Sequence, residues 1–325
     1  MKIIIDSNNY SSIDTSCLTS IDIDISLNKE MLDIFLSKPF PVLTSLDCSE
    51  CIALTYIPYL DKLTRLNCHS CNNLHSIPYL PNLTHLSCSY CDMITYIPCL
   101  NNLKQLDCSN CPSLKIIPDL PKLEILICRE CTSLTSIPTL QSLTHLTCTK
   151  SGIISISSLS SLNELRCRMC PDLTNISMLP NLTSVVCCWS FKLTSITSLP
   201  KLTKLNCSNC INLTNLSGIN NSLRCLVCSD CTSLTNLEPL HSLTFLDYSG
   251  CQNLKLYTIP LKFIDIDVID SNILEQSIEY NDQNLEYIRE FLDKNSNKLS
   301  PERTLMLETL IATNILVKPA TSRFV

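Results

Sequence analysis

The stretch Leu43–Leu60, LTSLDCSECIALTYIPYL, decides the fold, because the chain writes it again every twenty residues. Leu43, Leu46, Cys48, Cys51, Leu54, Ile57, Pro58 and Leu60 return as Leu63, Leu66, Cys68, Cys71, Leu74, Ile77, Pro78 and Leu80. The first leucine of each unit stands at Leu43, Leu63, Leu83, Leu103, Leu123, Leu143, Leu162, Leu182, Leu202, Leu223 and Leu243, which makes eleven units. A period near twenty means stacked structural units, none of which can bury its apolar face alone.

Within a unit, L-x-x-L-x-C-x-x-C reads as a short strand followed by a turn. The back half, such as Leu54–Leu60, leaves too few residues for a regular helix and two turns. Pro58, Pro78, Pro98, Pro118 and Pro138 favour extended or polyproline II backbone there. Successive strands must then be parallel and about 4.8 Å apart, giving a sheet on the order of 50 Å along its arc. The expected architecture is a solenoid bent into a horseshoe or arc, with the sheet on the concave face and extended returns on the convex face. Later units drop the proline, as in Ile156-Ser157, Ile176-Ser177 and Ile196-Thr197. The unit from Leu143 is one residue short near Gly152, and that from Leu202 one long near Gly218, which predicts a change of curvature. With only three glycines in the chain, Asn, Asp and Ser are expected to supply most turns.

The ends read as caps. Residues 1–42 form the first: residues 1–17 carry no strong pattern, and Leu18–Ile25 alternates apolar and polar like a degenerate first rung. Ser26 then caps a helix over Leu27–Ser37, which Lys38-Pro39-Phe40-Pro41 ends. The repeats fill residues 43–260. Residues 261–325 supply a closing rung, Leu261–Val268, and a helical C-terminal cap that includes Ser300-Pro301 as a helix start.

Composition narrows the function. The two ends together carry −7 of charge and the repeats +1, within a net −6. A near-neutral array argues against nucleic acid, which wants a basic stripe. No run approaches the roughly 18 apolar residues of a membrane span. The start, Met1–Asn8, has too short an apolar stretch for a secretory signal, so the 23 cysteines are expected as free thiols in a reducing, cytoplasmic compartment.

The frame L-x-x-L-x-C-x-x-C-x-x-L resembles the leucine-rich repeat, with Cys48 at its third leucine and Cys51 at its Asn/Cys position. The Cys51 position followed by Leu54-Thr55 resembles the cysteine-containing subclass of F-box substrate receptors. The period with Ile77-Pro78 through Pro81 resembles the short bacterial subclass. The Asn-, Ile- and Ser-rich, Gly-poor whole is similar to uncharacterised leucine-rich repeat proteins of giant DNA viruses, which would place it in host cytoplasm.

Cys48-x-x-Cys51 with Cys68-x-x-Cys71 also has the spacing of a four-cysteine zinc site. Three departures weigh against zinc and for thiols packed as small apolar groups. Ser151 and Ser190 replace the second cysteine, and Tyr248 the first, leaving incomplete sets. The expectation is therefore no metal and no cofactor. A catalytic constellation is equally lacking: His69, His85 and His145 are predicted on the sheet's open side, none sharing a rung. The bacterial proteins with similar repeats carry a nucleophilic cysteine beyond the array, and no Cys follows Cys251 here.

The sequence thus reads as a non-enzymatic protein-interaction module whose concave strand face binds a protein partner, and neither nucleic acid nor membrane. Two outward clusters are the candidate binding residues. One is Ile125, Ile127 and Arg129; the other is Val186, Cys188 and Trp189 with Arg166 and Arg168. The alternative for Trp189 is that it folds over the rim. The alternative function is a substrate-receptor subunit of a ubiquitin ligase, since Leu27–Phe40, LNKEMLDIFLSKPF, resembles the first helix of an F-box; the further helices of an F-box have no counterpart before Leu43.

Overall fold

The computed structural model describes residues 2–255, apart from 157, 215, 220–221, 238–239 and 241. The chain falls into two compact units, residues 1–234 with 242–252, and residues 235–241 with 253–325. In the second, the Lys255 N–H donates to Thr235 O at 2.9 Å. The expected closing rung and helical cap over 261–325 lie outside the described residues.

The first unit is a β-solenoid of parallel strands whose rungs follow the repeated leucines. Its strands are β1 (Lys2–Ile5), β2 (Ser20–Ile23), β3 (Ser45–Asp47), β4 (Arg65–Asn67), β5 (His85–Ser87), β6 (Gln105–Asp107), β7 (Ile125–Ile127) and β8 (His145–Thr147). They continue as β9 (Ser155–Ile156), β10 (Glu164–Arg166), β11 (Asn175–Ser177), β12 (Ser184–Val186), β13 (Ser195–Thr197), β14 (Lys204–Asn206), β15 (Cys225–Val227) and β16 (Phe245–Asp247). A 13-stranded parallel sheet takes β1 to β8, then β10, β12, β14, β15 and β16, in chain order.

Register follows from the leucines. Leu46 pairs with Leu66, Leu66 with Leu86, and the row continues to Leu226 with every member buried. A one-residue slip would expose the whole row, so burial locks the pairing. Each fully buried leucine contributes about 1.5–3 kcal/mol against an exposed reference. The two length changes leave this row intact, with Leu146 opposite Leu165 and Leu205 opposite Leu226. They are absorbed between strands. At the short unit, Gly152 lies so close to the preceding rung that a Cβ there would stand 2.3 Å from Thr132 O.

The returns differ between the two halves for a reason the prolines supply. In the Ile-Pro units they stay extended, with one isolated bridge between Tyr96 and Ile116. Once Pro gives way to Ser or Thr, a second parallel sheet of β9, β11 and β13 forms, with Ile156, Ile176 and Ile196 in register. Proline has no N–H to give a ladder, so its loss permits one.

Asn, Asp and Ser supply part of the left-handed turns, as expected, at Ser70, Asn110, Ser158, Ser198, Asn209 and Asp230, but not most of them. The residue before the second cysteine of each rung has positive φ whatever its type: Glu50, Ser70, Tyr90, Asn110, Glu130, Lys150, Met169, Trp189, Asn209 and Asp230. Each N–H in this column donates to the next rung, from Glu50 to His69 O at 2.7 Å to Asp230 to Ser249 O at 2.7 Å. The inter-rung bond holds a backbone that costs an L-residue about 1–2 kcal/mol.

At the N-terminal end, residues 2–5 form β1, paired in parallel with β2, although no pattern marked them. β2 pairs in turn with β3. The helix α1 spans Lys29–Leu36 and is capped by Asn28, whose Oδ1 accepts from Met31 N–H at 3.0 Å, not by Ser26. Ser26 N–H is instead held by Asp24 Oδ1. Leu32, Phe35 and Leu36 are buried, and Phe35 meets Phe40 edge-on at 5.3 Å. The apolar face of α1 is therefore spent within the solenoid. Among the described residues α1 is the one helix, and none is long and apolar enough to cross a membrane.

Candidate functional site

Two rows of thiols run through the interior. The second cysteine of a rung donates its S–H to the carbonyl of the first cysteine one rung back: Cys71 to Cys48 O at 3.0 Å, Cys111 to Cys88 O at 3.1 Å, Cys210 to Cys187 O at 3.2 Å. The first-row thiols point at the following rung, as Cys48 does to Asn67 O at 3.3 Å. Ser190 makes the same bond with its hydroxyl, Oγ to Cys167 O at 3.2 Å. In the shortened unit Ser151 Oγ turns to its own rung, at 2.6 Å from Cys148 O. From the sequence alone these cysteines read as small apolar groups. They are buried donors, and the serines at 151 and 190 are the signal that a donor is wanted there.

Burial pushes the Cys51 thiol up to about 12, and burial likewise raises Cys128 and Cys167. Such thiols are protonated at neutral pH, whereas in the donating row a hydrogen bond with the first-row thiol one rung back lowers Cys91, Cys131, Cys170 and Cys210. Among the described residues, no group of three or more His, Cys, Asp or Glu side chains gathers where a metal ion would sit. His69 hydrogen-bonds Ser89 Oγ at 2.8 Å and meets Tyr90 edge-on. His85 and His145 each pair with a neighbouring threonine hydroxyl.

On the open side of the sheet, two strand positions per rung face outward. A recurrent Asx-Cys-Ser turn uses one of them. Asp47, Asp107 and Asn206 accept from the N–H and hydroxyl of Ser49, Ser109 and Ser208. Between Asp107 and Asn206 the side chain is freed from turn duty, and Ile127, Thr147, Arg166 and Val186 stand there instead.

These four are direct partners. Ile127 pairs with Thr147, Thr147 with Arg166, and Arg166 with Val186. The two predicted clusters thus form one surface, with β8 between them. Ile125, Ile127 and Val186 are half-buried; Arg129, Arg166 and Arg168 are exposed. Arg166 is clamped to Glu164, with Nε and a terminal nitrogen both 2.6 Å from Oε1, and Glu164 Oε2 lies 3.8 Å from His145 Nε2. Exposed pairs of this kind contribute little to stability, so they can exchange partners.

Two predicted members stand elsewhere. Cys188 is buried, with 5% exposure, so it belongs to the interior and not to the outward cluster. Trp189 occupies the left-handed turn beyond β12, φ 65°, where its N–H donates to Ser208 O at 2.9 Å. It is 43% exposed and meets Phe191 edge-on with ring centroids 6.1 Å apart. Met169 and Ile211, also exposed, flank this aromatic pair along the rim. Trp189 therefore borders the strand surface from the rim.

No family model matches the chain, and no curated protein does. Among solved structures it is similar to a leucine-rich repeat protein from Bacteroides ovatus, at 17% identity and a TM-score of 0.42 over 74% of this chain and 79% of the other. A leucine-rich repeat protein from Eubacterium ventriosum is similar at 9% identity and a TM-score of 0.44, over 76% of this chain and 86% of the other.

Proposed function

We propose that this chain is a non-enzymatic scaffold that binds a protein partner on its strand face across β7, β8, β10 and β12. The observation that supports this is the in-register row Ile127–Thr147–Arg166–Val186, flanked by Ile125, Arg129 and Arg168, with Trp189 at its border. Aliphatic and arginine side chains in one rigid patch are what interface hot spots use. Hydrogen-bonded thiols throughout the core favour a reducing, cytoplasmic compartment, since oxidation would remove those donors.

The test is affinity capture with the full chain, comparing wild type with Ile127→Glu and Arg166→Glu. A protein retained by wild type, lost from both variants and kept by Thr55→Ala on the return side is the expected result. Trp189→Ala should weaken the same capture by about tenfold or more, the loss of a hot-spot aromatic, with thermal unfolding unchanged. Capture unaffected by both strand-face changes would refute the location, and loss only alongside unfolding would place these residues in the core.

A further inference from the structure

A second surface lies away from that row. Along the N-terminal edge of the strands from β3 to β7 runs a groove of about 610 Å³. One wall is the residue before each first leucine, and the other the residue after it. Lys62, Asn82, Asn102 and Lys122 form the first wall; Thr64, Thr84 and Lys104 stand on the second, and among the described residues no carboxylate lines the groove.

The hydrogen bonds set what the groove offers. Thr64 and Thr84 donate their hydroxyls to the previous rung, at Thr44 O and Thr64 O, both 2.9 Å. Asn82 and Asn102 likewise donate Nδ2 backwards, to Asp61 O at 2.7 Å and Pro81 O at 2.9 Å. Each threonine has thereby spent its one proton and keeps acceptor lone pairs, while each asparagine amide keeps a second N–H beside its Oδ1. The lysines supply the cations. Lys122 Nζ rests on Asn102 Oδ1 at 2.8 Å. Lys62 and Lys104 touch Asp61 at 3.3 Å and Glu124 at 3.5 Å, in pairs with about half of each side chain exposed. Such pairs are readily exchanged.

Acceptor oxygens and amide N–H groups interleaved with ammonium groups complement a ligand carrying N–H donors, carbonyls and carboxylates together. A polypeptide backbone with acidic side chains has all three; a phosphate or sulfate polymer has the anions but few donors. We propose that this groove binds an extended acidic peptide segment of a partner protein, laid across the strands. The spacing sharpens the proposal. Lys62 and Lys122 occupy the same column three rungs apart, about 14 Å at about 4.8 Å per rung. An extended chain advances about 3.3 Å per residue, so carboxylates at positions i and i+4, on one face, span about 13 Å. The inference extends the reading of the chain as a binding scaffold but does not depend on the strand-face row.

The experiment is fluorescence polarisation with the full chain and a labelled nine-residue Thr/Val/Ser peptide carrying glutamate at its third and seventh positions. Three comparisons accompany this spaced-glutamate peptide: a copy with both glutamates replaced by glutamine, a copy with the two glutamates adjacent, and a heparin oligosaccharide. The spaced-glutamate peptide should bind, the glutamine copy at least tenfold more weakly, and the adjacent-glutamate copy between them. Lys62→Glu with Lys122→Glu should abolish binding. Lys62→Gln with Lys122→Gln, a milder pair for a fold check by circular dichroism, should weaken it about tenfold. Lys192→Glu, on a rim pair with Asp172, should change nothing. Ile127→Ser should leave peptide binding intact, so failure of the strand-face surface and failure of this groove are told apart. No binding of the spaced-glutamate peptide, equal binding of the glutamine copy, insensitivity to both lysine pairs, or preference for heparin would each overturn the proposal.

Discussion

Replacing Cys111 separates two accounts of the thiol rows. If the cysteines are apolar filler, alanine is the gentler substitute and serine the harsher one, because a buried hydroxyl without a partner costs about 1–3 kcal/mol. If they are donors, the order reverses. Cys111 is fully buried and its Sγ lies 3.1 Å from Cys88 O. Alanine removes that donor and leaves a buried carbonyl facing a small void. The unpaired carbonyl costs about 1–3 kcal/mol, and a residual cavity of about 20 Å³ adds about 0.5 kcal/mol. Serine keeps the bond, as Ser190 does at 3.2 Å from Cys167 O, and gives up mainly the polarisable bulk of sulfur, about 0.5–1 kcal/mol.

Urea unfolding of the two variants should therefore place Cys111→Ala below Cys111→Ser by about 1 kcal/mol or more, with unchanged slope if each unfolds as one cooperative unit. An alanine variant as stable as wild type, or more stable than the serine one, would refute the donor role and restore the packing account.

Three further outcomes follow from the same geometry. Gly152→Ala should destabilise by about 1–3 kcal/mol, the range for overpacking, because its Cβ would meet Thr132 O; a thermal scan showing no loss would mean the short unit can open. Ser70→Gly should keep or raise stability by up to about 1 kcal/mol and Ser70→Val lower it by more than that, since φ is 57° and a β-branched side chain fits the left-handed region poorly; equal melting temperatures would refute strain in this column. Stability should fall with alkali: Cys51 is pushed up to about 12 when folded, while unfolded thiols ionise near 8.5. Between those values the unfolded chain binds fewer protons, so its contribution is full below about pH 8.5 and lost as pH rises towards 12. Melting temperatures that rise from pH 8.5 to 10.5 would contradict that sign.

The fold was legible because the leucine and cysteine positions repeat eleven times, and every burial statement is made eleven times over. Strand boundaries, parallel pairing and the Leu46-to-Leu226 row needed only the period. What escaped was information that a single rung does not hold. β1 has no repeat to align with, and its apolar run is short. The second sheet depends on an absence, the missing proline in three successive units, and a missing residue type is a weaker signal than a present one. The left-handed column escaped because Glu50, Tyr90, Glu130, Lys150, Met169 and Trp189 stand in it beside Ser, Asn and Asp; an inter-rung hydrogen bond, not residue preference alone, holds that backbone.

The candidate site shows the same division. Outward positions follow from the period of two along a strand: Ile125, Ile127, Arg166 and Val186 flank the buried Leu126, Leu165 and Val185. That logic fails once the strand ends. Cys188 and Trp189 lie in the turn, where the chain rotates, and one goes inward while the other goes to the rim. Contiguity of the two clusters depends on lateral register, which places His145 and Thr147 between them. The sequence does carry one further mark of this surface. Asx-Cys-Ser turns at Asp47, Asp107 and Asn206 show what a rung uses when its outward residue serves the scaffold alone. Ile127, Thr147, Arg166 and Val186 interrupt that usage in four consecutive strands of the sheet. Giving up a local cap at about 0.5–1.5 kcal/mol per hydrogen bond is the kind of local inconsistency that accompanies a binding surface. In a repeat protein, then, the consensus describes the scaffold, and consecutive departures from it on one face mark where a partner would sit.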